Sequence, residues 1–80
     1  MDVRKRIGLD LKRLRAERKI TQEDFATDSG FDRGYLSGVE RGVRNPSAVV
    51  LARIAEALKV DVMALFDLHA ATEFARKKEG

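Results

Sequence analysis

Between Phe31 and Asn45 the chain reads FDRGYLSGVERGVRN, and most of its usable chemistry lies there. Arg33, Ser37 and Arg41 recur at every fourth position, and Arg44 and Asn45 follow. Arginine carries a planar fork of donors that fits a guanine edge or a phosphate. A hydroxyl and an amide add shorter-range donors and acceptors. Glycines stand among these residues at 34, 38 and 42. On a helix at about 100° per residue, Leu36, Val39 and Glu40 share one side, and Arg33, Gly34, Ser37, Gly38 and Arg41 share the opposite arc. Tyr35 falls on the edge, half toward a core and half toward that arc. Glycine inside a helix costs about 1 kcal/mol relative to alanine, so two of them on one polar, basic face call for a reason. A face without bulk lets a large partner approach the backbone. The major groove of double-stranded DNA, about 12 Å wide, accepts one helix. The plainer readings are a glycine contact with another helix, a solvent-exposed Arg33 and Ser37, and a solvated loop holding Arg41, Arg44 and Asn45.

Other chemistry is poorly served. Cysteine is absent, which excludes disulfides, thiolate metal sites and cysteine nucleophiles and suits a reducing, cytoplasmic home. His69 is the only histidine and has no partner at metal-ligand spacing. No nucleophile–base pair and no phosphate-cradling glycine loop can be assembled, so neither an enzyme nor a cofactor is expected, and no small-molecule pocket is evident. Sixteen Lys and Arg against 13 Asp and Glu give a net charge of +3, a mild excess that suits a polyanion. No apolar run is longer than that of AVVLA, far too short to span a membrane.

The elements that must position the basic arc all read as helices. From Val3 to Lys19, Ile7, Leu11 and Leu14 form one apolar stripe, while the eight basic residues before Ile20 lie mostly off it, as a solvated face or a phosphate-facing edge. Thr21 can cap a second helix, with Asp24 three residues on and Gly30 at its end. Asp32 caps a third, Arg33 to Arg41, stopped by Gly42. The short glycine-containing connection between the two is the sign of a helix-turn-helix. Pro46 and Ser47 open a fourth, with Leu51, Ile54, Ala55 and Leu58 on one face. Asp61 caps a short fifth that carries Met63, Leu65 and Phe66. An all-α fold of one small domain, residues 1–67, is expected, with 68–80 as a helical C-terminal extension ending in a basic frayed tip. Val62, Met63, Leu65 and Leu68 exceed what a small core needs and are candidates for a subunit contact.

TQEDFA, a glycine turn, DRGYLSGVERG, RNPS, LARIAEALKV and ALF, in that register, resemble the Cro/CI-type (XRE) helix-turn-helix regulators, from about Ile7 to Phe66. Within that family the stretch DRGYLSGVERGVRN is similar to the controller proteins of restriction–modification systems. The resemblance implies a five-helix, phage-repressor-like bundle that binds a two-fold DNA operator as a homodimer, with RNA polymerase as a further partner to consider. It implies bases at positions 33, 34, 37 and 38 and at Arg44. It implies DNA backbone near Thr21, Gln22, Tyr35, Arg41 and Asn45. It also implies a buried salt bridge between Arg15 and Glu40, in place of a phosphate contact for Arg15. Gly34 stands where controllers carry a hydroxyl, which alters the expected target. A module that has kept the fold for protein contacts and lost DNA binding is the alternative.

Overall fold

Short polar side chains start the helices by taking backbone N–H groups that a helix leaves unpaired. The computed structural model describes residues 2–79. It contains α1 (Val3–Glu17), α2 (Gln22–Ser29), α3 (Arg33–Glu40), α4 (Ala48–Leu58) and α5 (Leu68–Glu79), with a 3-10 helix, Val62–Phe66, between the last two. Asp2, Thr21, Asp32, Ser47 and Asp61 accept from the N–H groups of Arg4, Asp24, Tyr35, Val50 and Met63. Asp67 does the same for Ala70 at the start of α5. Among the described residues there is no strand.

The helix ends are less uniform. Gly30 closes α2 in the left-handed region, at φ +77°. The end of α1 falls at Glu17, short of the expected Lys19, because Lys19 itself turns left-handed at φ +55°. The N–H of Ile20 then returns to the carbonyl of Arg15. Lys59 closes α4 in the same way, at φ +60°, with no glycine present. Pro46 is buried just ahead of the Ser47 cap, so α4 begins at Ala48.

The apolar stripes meet as their spacing requires. Ile7, Leu11 and Leu14 pack with Phe25, Ala26, Leu36, Val39, Leu51, Ile54, Ala55, Leu58 and Leu65 in one core. The first helix is the hub, touching α3, the 3-10 helix and α5. Where α1 crosses α3, Gly8 lies against backbone: a Cβ there would sit 2.5 Å from the carbonyl oxygens of Val39 and Glu40.

The basic residues of α1 and of its C-cap, Arg18, have a use that their sequence context hides. Arg6 donates to the carbonyl of Phe66 (2.9 Å), Arg13 to that of Ala64 (3.2 Å) and Arg18 to that of Leu58 (2.9 Å). These carbonyls sit at the ends of the 3-10 helix and of α4, where backbone acceptors go unpaired. Asp10 lies wholly buried beside them and accepts from Arg13 Nε at 3.2 Å, while its Oδ2 has no hydrogen-bond partner. Burial pushes the Asp10 carboxyl above its ordinary value, and the Arg13 hydrogen bond only partly offsets this. Along the same side of α1, α5 packs with Ala71 fully buried.

Candidate nucleic-acid interface

The candidate reading helix is held rigidly from behind. Glu40, at the last turn of α3, has a side chain 2% exposed. It takes two bonds from Arg15 of α1, Nε–Oε2 at 2.6 Å and a second guanidinium nitrogen to Oε1 at 2.8 Å. The remaining Arg15 nitrogen donates to the carbonyl of Ile20 (2.8 Å), and the Gln22 amide donates to Glu40 Oε1 (3.2 Å). One carboxylate thus ties α1, the α1–α2 turn, the start of α2 and α3 together. A two-pronged arginine–carboxylate pair with its remaining donors satisfied fixes orientation as well as energy.

The outer face of α3 is open. Arg33 is 63% exposed at its first turn, 3.7 Å from the still more exposed Glu23 of α2. Gly34 is exposed beside it, with only the Asp32 carboxylate near the place of a Cβ. Ser37 is half-buried, and Arg41, Arg44 and Asn45 are exposed. Tyr35 is half-buried against the core, and the Arg44 guanidinium stands over its ring, 5.9 Å from the centroid. Thr21 is exposed but its hydroxyl is committed to the α2 cap. Gln22 is half-buried, and its amide nitrogen is already engaged by Glu40.

Two expectations need correction. Gly38 shares the outer arc but is not bare: it is buried, and a Cβ there would lie 2.6 Å from Arg44 Cγ. The loop after α3 folds back and lays the Arg44 side chain over it. Leu65 is not a subunit contact, because it is fully buried in the core. In a 3-10 helix successive side chains point about a third of a turn apart, so neighbours differ sharply in exposure. Met63 is 67% and Leu68 45% exposed, whereas Val62 is half-buried against the core.

The helix-turn-helix family model (HTH_3) matches residues 11–65, from the middle of α1 through the 3-10 helix. The chain belongs to this helix-turn-helix family. An uncharacterised HTH-type transcriptional regulator of Sinorhizobium fredii, y4dJ, is 48% identical over 60 residues, 75% of this chain and 78% of that one. The restriction–modification controller protein C.AhdI of Aeromonas hydrophila superposes with a TM-score of 0.74 at 41% identity, covering 79% of this chain and 96% of that one. The controller C.Esp1396I, solved as a tetramer in complex with its natural 35 base-pair operator, gives 0.76 at 32% identity over 94% and 97%. These helix-turn-helix relatives are regulators of transcription rather than enzymes. Among the described residues no group of acidic or histidine side chains could hold a metal, and no helix is long and apolar enough to cross a membrane.

Sequence reasoning missed Gly8, Asp10 and a groove of about 450 Å³ between α1 and α5, lined by Arg13, Glu17, His69, Glu73 and Phe74 among others. Only Asp10 left a signal: it stands three residues after Ile7 and four before Leu14, on the apolar stripe.

Proposed function

We propose that this protein is a sequence-specific DNA-binding transcriptional regulator acting as a cytoplasmic homodimer on a two-fold operator. The observation that carries the reading is the two-sided build of α3. One face is locked to α1 through Arg15 and Glu40, and the other presents Arg33, the bare Gly34 and, from the following loop, Arg44. Arg33 is the principal base reader, through a guanine edge, with Arg44 and Ser37 beside it. Arg41 and Asn45 grip the phosphates, and the start of α2 at Thr21 and Gln22 approaches the backbone where a helix N-terminus favours anions. Tyr35 supports Arg44 from the edge of the face. Exposed Met63 and Leu68 belong to the subunit contact, flanked by Val62. Such a regulator meets RNA polymerase at the promoter it controls. The interaction-module alternative leaves the outward arginines without a purpose and is not favoured.

Selection of bound sites from a fully randomised duplex pool, followed by titration of the selected and scrambled duplexes at fixed salt, tests the reading. The expected sites are symmetric, with half-sites about 34 Å apart or a multiple of it. A Met63→Asp variant should run as a monomer in light scattering and lose most operator affinity. Failure of the wild type to enrich any sequence would sink the proposal.

A further inference from the structure

Gly38 is tied to Arg44 twice. Its carbonyl accepts the N–H groups of both Val43 (3.0 Å) and Arg44 (3.3 Å), which pins the returning loop to the α3 backbone. Its missing side chain then leaves the space that the Arg44 stem occupies: a Cβ on Gly38 would lie 2.6 Å from Cγ, 3.2 Å from Nε and 3.4 Å from Cδ. Carried across the helix in this slot, the guanidinium arrives over Tyr35. A free arginine has four rotatable bonds, and ordering it on DNA costs rotamer entropy. The slot and the ring remove much of that freedom before DNA arrives.

We propose that Gly38 is a specificity-determining position that acts through Arg44, as a seat that presets this arginine rather than as a clearing for the duplex. The proposal rests on the reading of α3 and its loop as the DNA interface. Any side chain at 38 must unseat Arg44, because the atoms it meets belong to a flexible side chain that can move. The fold is spared, and alanine is the better helix former. The loss should therefore be confined to the base pairs that Arg44 reads.

The test is a double-mutant cycle on duplexes selected by the wild type, with Gly38→Ala, Arg44→Ala and the pair, each checked for an unchanged helical spectrum. Gly38→Ala should lower affinity and relax preference at the same base pairs as Arg44→Ala, each by roughly tenfold. In the Arg44→Ala background, Gly38→Ala should add almost nothing. Proton NMR of the free protein gives a second readout, since the Tyr35 ring current should shift the Arg44 δ protons upfield in the wild type and not in Gly38→Ala. An equal loss in both backgrounds would show that DNA itself needs the bare glycine, and would overturn the proposal alone. Parental binding by Gly38→Ala, or an unshifted Arg44 in the wild type, would overturn it as well. If Arg33→Ala and Arg44→Ala both bind selected and scrambled duplexes as the parent does, the DNA-interface reading falls, and this proposal with it.

Discussion

Two glycines inside helices, Gly8 and Gly34, are bare for opposite reasons. Gly8 is pressed against the carbonyls of Val39 and Glu40, at the crossing of α1 and α3. Gly34 stands on the far side of α3, where little but the Asp32 carboxylate is near. One absence of a side chain closes the molecule; the other leaves it open. The same helix therefore has a face whose composition is dictated by stability and a face whose composition is free to be dictated by a partner. The arginines divide in the same way: Arg15 is spent on Glu40, while Arg33 is left to solvent with only a loose partner in Glu23.

The largest expected effect lies on the closed face. Glu40→Ala strands Arg15 and the Gln22 amide and should cost roughly 3–5 kcal/mol of stability. Denaturant titration measures it, and an unchanged midpoint would break the comparison at its base. Gly8→Ala comes next. The atoms that its methyl meets are backbone, which cannot swing away, so a loss of about 1–3 kcal/mol or more is expected. Gly34→Ala is the matched control, and its stability should move by less than about 1 kcal/mol in either direction. Equal melting curves for the two variants would erase the distinction. On the open face, Arg33→Ala should leave the melting curve alone yet remove about 1–3 kcal/mol of discrimination between operator and scrambled duplex. A uniform weakening on both duplexes would instead make Arg33 a phosphate contact.

The smallest effect concerns Asp10. Its carboxyl titrates higher in the folded state than in the unfolded chain, so the folded state holds its proton more tightly. The burden of the buried charge is fully present above the folded-state value. It lifts as pH falls through that value and is gone below the ordinary carboxylate range. Asp10→Asn carries no such burden. Its melting temperature relative to the wild type should therefore fall as pH is lowered from neutral toward the acid range. A gap that widens in the variant's favour on acidification would contradict the assignment.

How much of this was legible beforehand follows from the distances over which signals act. The stripes Ile7–Leu11–Leu14 and Leu51–Ile54–Leu58, the caps at Thr21, Asp32 and Asp61, and the stop at Gly30 are local patterns, and the structure realises them. The open arc with Arg33 and Gly34 was legible for the same reason. Lys19 and Lys59 were not, because a lysine in the left-handed region carries no mark in sequence. Gly38 was misread because helical geometry places it on the outer arc, while its neighbour comes from a loop that the wheel does not contain. Leu65 was misassigned because a surplus of apolar residues does not say which of them the core takes, and in five residues of 3-10 helix neighbours differ sharply in exposure. The Arg15–Glu40 bridge came from family resemblance; spacing alone offers no way to pair residues 25 positions apart.

The arginines of α1 and of its C-cap also join parts of the chain far apart in sequence. Arg18, Arg13 and Arg6 find their acceptors at Leu58, Ala64 and Phe66, separated by 40, 51 and 60 residues. This early element is thus completed by segments synthesised well after it. The apolar stripe of α1 can already meet Phe25, Leu36 and Leu51, and Arg18 its acceptor at Leu58, before Arg13 and Arg6 find theirs at Ala64 and Phe66. Contacts of such sequence separation close slowly, so docking of the 3-10 helix onto α1 should follow assembly of the helices that carry the candidate DNA face.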